Sequence, residues 1–304
     1  MTPAPRRYLQ LDVFARAPGA GNPLGVVFDA AGMDAASMQA FAAWTNLSET
    51  IFLLPPQQAA AHYRVRIFTP RQELPFAGHP SVGAAWAAMD GGIVAADTRS
   101  LVQECAAGLL PVRIAASHAA RSVHVRAPKA AACAIDATAI APYLAAALRG
   151  WTLGTQAPTL WSNGPGWWLV ELADERAVRA LQPDLAAIAA LTIASGAVGL
   201  AVFGRAQQDQ GDYQLAVRAF CPADNIPEDP VTGSANACIA ALLTRSDALP
   251  GSDGRYRASQ GREVGRDGIV EVEVDAGGDV WIGGEVQRVI EGSVAWPDTM
   301  PERP

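Results

Sequence analysis

The feature that most constrains this chain is an internal repeat. Leu74-Pro75-Phe76-Ala77-Gly78-His79-Pro80 shares its layout with Asp229-Pro230-Val231-Thr232-Gly233-Ser234-Ala235. Pro75 matches Pro230, Gly78 matches Gly233, and the acids Glu73 and Glu228 match at the same offset of 155 residues. A second echo lies just upstream, Arg66-Ile67-Phe68-Thr69-Pro70 against Arg218-Ala219-Phe220-Cys221-Pro222. Small-residue runs suited to helices follow both copies, Ala84-Ala85-Trp86-Ala87-Ala88-Met89 and Ala237-Cys238-Ile239-Ala240-Ala241-Leu242. A strand, a loop and a helix begun by Gly, used twice about half a chain apart, predict two similar lobes. Two such lobes facing each other would turn two helix N-termini to one cleft, where free N–H groups and the helix dipole favour an anionic ligand.

The strand pattern sets the fold class. Alternation predicts strands at residues 8–14, 25–28, 50–54, 63–68, 112–115 and 122–126, with helices at 34–44 and 81–89 and a turn at 116–120. An Ala-rich stretch at 127–138 reads as the crossing into the second half. There, helices are expected at 142–148, 175–181, 184–195 and 235–244. The second-half strands fall at 167–171, 199–203, 214–220, 255–260 and 269–274, and short strands at 280–282 and 288–290 are separated by Gly-rich turns. Strands outnumber helices and do not alternate regularly with them, which favours antiparallel or mixed sheets over a Rossmann-type parallel sheet. The 304 residues suit two domains, and half of them are hydrophobic, enough for two cores.

Charge and cysteine usage exclude several functions. A net charge of −7 argues against nucleic-acid binding, which rests on phosphate neutralisation by Lys and Arg. No run of about 18 apolar residues predicts a membrane span, and the alternating residues 8–14 are no signal-peptide core. Cys105, Cys133, Cys221 and Cys238 lack CxxC spacing, so neither a zinc site nor a redox motif is expected. A reducing, cytoplasmic compartment is the simplest reading. Gly19-Ala20-Gly21-Asn22-Pro23-Leu24-Gly25 has the wrong spacing for a dinucleotide fingerprint, contains Pro23 and precedes a strand, so it reads as a turn. No GxxxxGK[ST] or HExxH motif occurs.

Few side chains remain for chemistry, and each carries a plainer reading. Glu49, in Asn46-Leu47-Ser48-Glu49-Thr50, lies between a helix end and an apolar strand. Burial there would suit it to proton transfer; exposure would leave it an ordinary surface carboxylate. His79 precedes a helix whose first turn accommodates Pro80, and is either structural or part of a site. Asp229 is common in turns for structural reasons, and Ser234 would serve as a helix cap. His62, His118 and His124 read as surface or strand residues. Trp161, Trp167 and Trp168 read as core packing or an interface.

These motifs together resemble the phenazine-biosynthesis PhzF-like family. The resemblance is carried by Leu11-Asp12-Val13-Phe14, Gly21-Asn22-Pro23, Asn46-Leu47-Ser48-Glu49-Thr50, Arg66-Ile67-Phe68-Thr69-Pro70, the two halves of the repeat, Gln260-Gly261 and Gly265-Arg266. It implies the diaminopimelate epimerase fold, an α+β architecture of two similar lobes, each a curled, mostly antiparallel or mixed β-sheet around a central helix. Residues 1–127, completed by 286–304, would form the N-terminal lobe and 128–285 the C-terminal lobe. It also implies an isomerase that needs no cofactor or metal and moves a proton on a small, in some relatives cyclic amino, carboxylate. In the family's phenazine enzymes that substrate is trans-2,3-dihydro-3-hydroxyanthranilate.

Carried over residue by residue, Glu49 is the acid/base, with His79, Asp229 and Ser234 as catalytic partners. Asn22, Ser48, Gly78, Pro80, Ser81, Gly233 and Ala235 are expected to bind substrate. Related racemases use two thiols at the helix starts, where this chain has His79 and Asp229/Ser234. Trp44-Thr45 departs from the acidic or polar residue frequent there in relatives, so the substrate is not carried over. An epimerase without catalytic thiols and a non-catalytic carboxylate-binding protein are the alternatives. A homodimer without nucleic-acid or membrane partners is expected.

Overall fold

The computed structural model describes residues 4–116, 121–207 and 212–300. His118 and the turn expected after Ala116 lie outside them. The chain divides into two compact units, Met1–Arg126 with Gly283–Pro304, and Ala127–Ile282. Strand predominates, with six α-helices among the described residues.

The first unit is built from β1 (Arg6–Val13), β2 (Asn22–Val27), α1 (Ala35–Thr45), β3 (Glu49–Leu54), β4 (Tyr63–Phe68), β5 (Glu73–Leu74), α2 (Gly78–Asp90), β6 (Ser100–Cys105), β7 (Gly108–Ala116) and β8 (Arg121–Arg126). Its pairing runs β1–β2–β3–β4–β6–β7–β8, antiparallel except for β2/β3 and β4/β6. The last strand of the chain, introduced below, pairs with both β8 and β1 and closes the ring into a barrel.

Inside this ring runs α2, packed against β1, β2, β3, β4 and β8 and buried along its length except at Trp86 and Asp90. A helix apolar all round belongs in a core, and its small residues let it fit. A Cβ on Gly83 would stand 2.3 Å from Leu24 Cδ2, so only glycine lets the helix settle this close to β2. Outside the ring, Asp34 caps α1 by accepting from the Ser37 N–H at 2.7 Å. Met38, Phe41 and Ala42 of α1 pack with Val27, Phe52 and Phe68.

The second unit contains β9 (Ala131–Ala132), α3 (Ala137–Ala147), β10 (Thr159–Ser162), β11 (Gly166–Glu171), α4 (Glu175–Ala180), α5 (Leu185–Ser195), β12 (Gly199–Arg205), β13 (Leu215–Cys221), β14 (Ile226–Asp229), α6 (Gly233–Arg245), β15 (Arg255–Gln260) and β16 (Gly268–Val274). Its ladder runs β9–β10–β11–β12–β13–β15–β16, with β11/β12 and β13/β15 parallel. From β10 onward this is the order of pairings that the first unit shows from β1: antiparallel, parallel, antiparallel, parallel, antiparallel. The helix α6, buried from Gly233 through Ala240, contacts β11 and β16. Residues of α3, α4 and α5 form a core with Trp168, Val170, Leu200, Val202 and Phe220.

Three sequence expectations need correction. The strands expected at 280–282 and 288–290 are one strand, β17 (Val280–Val294), whose residues from Gly283 on belong to the first unit. Gly283 marks a close approach rather than a turn, for its Cβ would lie 2.3 Å from the Val123 carbonyl oxygen. The turn expected through Pro23 ends earlier, because β2 already begins at Asn22. The Ala-rich crossing is not bare linker: it holds β9, paired with Trp161 and Ser162, and the start of α3, capped by Asp136.

The repeated Arg and Glu residues are explained as architecture. Arg66 forms two bonds of 2.7 Å to Glu73, and Arg218 bonds Glu228 at 2.9 and 2.8 Å. Each pair fastens the short strand β5 or β14 to its neighbour β4 or β13. The same ion pair thus shapes the approach to α2 in one unit and to α6 in the other.

Candidate active site

In the first unit the side chains converge where β2, β3 and α2 meet. The helix α1 ends at Asn46, whose left-handed φ of 53° turns the chain into β3. Glu49 opens β3 beside Leu24 of β2, and His79 is the second residue of α2. Glu49 Oε2 lies 3.3 Å from His79 Nε2, with the side chains 16 % and 6 % exposed. The reading of Glu49 as an ordinary exposed carboxylate therefore fails. Ser48 donates to Asn22 Oδ1 at 3.1 Å and to the Pro23 carbonyl at 3.4 Å. The same carbonyl accepts a hydrogen bond from the His79 ring. Asn22, Ser48, Glu49 and His79 thus gather around one segment of β2.

Electrostatics decide the state of this pair. Burial drives the His79 imidazole down to about 3, against the opposing pull of its bond to Pro23. At neutral pH the ring is uncharged, so the 3.3 Å contact with Glu49 is not an imidazolium–carboxylate ion pair. Gly78 and Pro80 are buried beside His79 in the first turn of α2, and Ser81 is fully buried one residue on. The Ser81 hydroxyl donates to the Ala77 carbonyl at 2.8 Å and accepts from Gln103 Nε2 at 2.9 Å. Tyr63 in turn donates to Gln103. Ser81 therefore braces α2 to β6.

In the second unit Asp229 ends β14, and its Oδ2 accepts from the Thr232 hydroxyl. Gln260 clasps this turn. Its Oε1 accepts from the Thr232 N–H at 3.0 Å and from Asn236 at 3.1 Å, while its Nε2 donates to the Asp229 carbonyl at 3.1 Å and to the Thr232 hydroxyl at 2.9 Å. Gly261 follows with a φ of 100°, and a Cβ there would meet the Pro230 carbonyl at 2.6 Å. Gly233 and Ala235 are buried in the first turn of α6. Ser234 is not the helix cap, a position held by Thr232. Its hydroxyl instead accepts from Trp167 Nε1 at 3.1 Å, and its carbonyl accepts from Asn163 Nδ2 at 3.1 Å.

The sequence matches the phenazine biosynthesis-like protein family, PhzC-PhzF, over residues 11–292. The chain belongs to this family. A fission-yeast (Schizosaccharomyces pombe) relative named antisense-enhancing sequence 1 is 32% identical over 94% of this chain and 97% of its own. The trans-2,3-dihydro-3-hydroxyanthranilate isomerase of Pseudomonas aeruginosa is also 32% identical, over 90% of this chain and 92% of its own. A PhzF-family structure from Bacillus anthracis superposes with a TM-score of 0.80 at 23% identity, covering 96% of this chain and 99% of that one. The family match and the Pseudomonas relative place the chain among PhzF-type isomerases, and the Bacillus structure shows the fold.

Sequence reasoning missed Gln260, Thr232, Asn236, Asn163 and Gln103 as structural partners of the family motifs. A signal was present, since Ser81 and Asn236 are polar residues inside small-residue helices and Gln103 follows Leu101 and Val102 in a strand; these three and Gln260 are fully buried. Such residues need partners. Their partners lie up to 40 residues away in sequence, beyond the reach of local pattern. Among the described residues no cluster of His, Cys, Asp and Glu could hold a metal ion, and no helix is long and apolar enough to cross a membrane. Cys221 and Cys238 are buried, and desolvation pushes the Cys238 thiol far above its usual range.

Proposed function

We propose that this PhzF-type isomerase moves a proton on a small carboxylate, with Glu49 as the acid/base. The observation that carries the reading is the buried contact between Glu49 and a neutral His79. The His79 ring gives its one proton to the Pro23 carbonyl, so the nitrogen facing Glu49 is an acceptor. Glu49 therefore faces an uncharged nitrogen rather than a cation, and as acid/base it would exchange a proton with a substrate carbon. Such a carbon must be acidified by an adjacent unsaturated or carboxylate-bearing system. First-turn N–H groups, which no helical carbonyl can satisfy, are suited to hold a carboxylate at the start of α2 or of α6.

Asp229 and Ser234 are the further residues of this reading, Asp229 as a second proton-handling group and Ser234 as a hydroxyl donor to the substrate carboxylate. The matching order of pairings supports reading the two units as similar curled sheets, each around its own helix. A cytoplasmic homodimer completes the proposal, and sedimentation of the purified chain tests its oligomeric state. The activity test is deuterium wash-in from solvent into a series of amino carboxylates. General acid–base catalysis contributes about 10²–10⁴-fold, so Glu49→Gln should slow exchange by that factor while ligand binding persists. Exchange that survives Glu49→Gln and disappears in Cys238→Ala would replace this reading with a thiol mechanism.

A further inference from the structure

The turn between β10 and β11 grips α6 at successive levels. Asn163 Nδ2 bonds the Ser234 carbonyl and Trp167 Nε1 bonds the Ser234 hydroxyl. The Asn163 backbone also bonds the sulfur of Cys238, one helical turn farther on. These bonds fix the orientation of the Asn163 amide, because only its NH₂ group can face a carbonyl. The amide oxygen is left over. Asn163 is 2% exposed, and its Oδ1 has no hydrogen-bond partner among the described residues.

A buried acceptor left unmade costs as much as a good hydrogen bond gains. Such groups are rare in native proteins and call for an explanation. The other buried asparagine of this region, Asn236, belongs to the Gln260 clasp, and its amide nitrogen is spent inside it. Asn163 differs because it sits against Ser234. The Ser234 hydroxyl accepts from Trp167, which leaves its own proton to give away. Donors from Ser234 and the first turn of α6 therefore lie next to one unfilled acceptor. The turn that carries this acceptor bends at Gly164, whose φ is 119° and beside which a Cβ would meet open space.

We propose that Asn163 is a specificity-determining residue of this enzyme, its Oδ1 accepting a hydrogen bond from an N–H or O–H group that the substrate carries next to its carboxylate. The carboxylate itself takes the donors of Ser234 and the α6 first turn. This rests on the proposed role of Ser234 in carboxylate binding. It adds a selection rule: carboxylates with a neighbouring donor are taken, and those of equal shape without one are discriminated against. A site built to satisfy a polar group rejects the analogue that lacks it because its own group is then left unpaired.

The test compares two probes, benzoate and 2-aminobenzoate, which differ by one amino donor. Titration calorimetry on the full chain should show 2-aminobenzoate binding about tenfold more tightly, the worth of one hydrogen bond. Asn163→Leu should abolish the preference, so that the two probes bind the variant with equal affinity. A crystal of the wild-type complex, which does not depend on the variant folding, should place the amino nitrogen about 2.7–3.2 Å from Asn163 Oδ1. Equal binding of the two probes by the wild type, or equal weakening of both by Asn163→Leu, would overturn the selection role and leave the carboxylate reading standing. Binding of neither probe, or binding of both away from Ser234, would overturn the two together.

Discussion

Acid should destabilise this protein through His79, by an amount the structure fixes. The imidazole has a pKa of about 3 in the folded chain against 6.5 when free. Unfolding therefore takes up a proton at any pH between these values, and folded stability falls as pH drops below 6.5. At pH 5 the loss is 1.5 pKa units, or about 2 kcal/mol at 1.36 kcal/mol per unit. It levels off near pH 3 at about 5 kcal/mol, where the folded ring also protonates. The ring is 6% exposed, so solvent screening removes little of this. His79→Gln keeps a neutral polar side chain and cannot titrate.

Urea unfolding of both proteins at pH 7.5 and pH 5 isolates the contribution, since the acid response of all other groups cancels in the comparison. Wild type should lose about 2 kcal/mol more than His79→Gln, a difference of about 1 M in midpoint for a slope near 2 kcal/mol/M. The competing picture, an imidazolium paired with the Glu49 carboxylate, would raise the folded pKa above 6.5 and reverse the sign. Wild type would then gain on the variant as pH falls. A parallel response of the two proteins, or the reversed one, would refute the neutral-ring assignment and with it the reading of Glu49 beside an uncharged partner.

Further outcomes follow from the same geometry. Arg218→Ala should cost about 3–5 kcal/mol, because it strands Glu228 and the Val178 and Leu181 carbonyls that the buried guanidinium holds. Arg66→Ala should cost about 1 kcal/mol or less, since its pair is 25 % and 35 % exposed; chemical denaturation of the two variants gives the contrast. Gly83→Val should destabilise by more than the roughly 1–3 kcal/mol of ordinary overpacking, because even a single Cβ would overlap Leu24; thermal melting reads this directly. The Cys238 thiol, buried and held protonated, should react with a thiol reagent only at the rate of unfolding, which mass spectrometry after timed labelling can follow.

The repeat was legible because it is local. Pro, Gly, Glu and Arg recur at fixed offsets, and the small-residue helices announce themselves as buried on all sides. The meaning of the acids was not legible, for Glu73 and Glu228 are only matched positions of the repeat until Arg66 and Arg218 are seen to hold them. Glu49 and His79 could be named from motif and helix start, but whether they touch depended on how closely α2 sits against β2, which Gly83 decides. The strand β6 escaped notice because Gln103 and Glu104 interrupt its apolar pattern. Both are buried, Gln103 to brace Ser81 and Glu104 to accept from the N–H groups of Gln57 and Gln58. Glycines misled at β17, where Gly283 reads as a turn and serves as a close approach to β8. Ser234 read as a cap because the cap position was placed two residues late. Its true partner, Trp167, is 67 residues away.

The barrel around α2 needs its last stave from the far end of the chain. A ribosome that has released residue 126 has made Glu49, His79 and all of α2, yet β1 and β8 still lack the strand that joins them. That strand follows only after the second unit, Ala127–Ile282, has been synthesised. At the usual pace of elongation the gap lasts on the order of ten to thirty seconds. During that time an open barrel exposes two unpaired edges and a helix with scarcely any polar face, the kind of surface that chaperones recognise. The inserted unit has no such wait, because its strands and α6 lie within one continuous stretch. The half of the protein that is written first is therefore the half that finishes last.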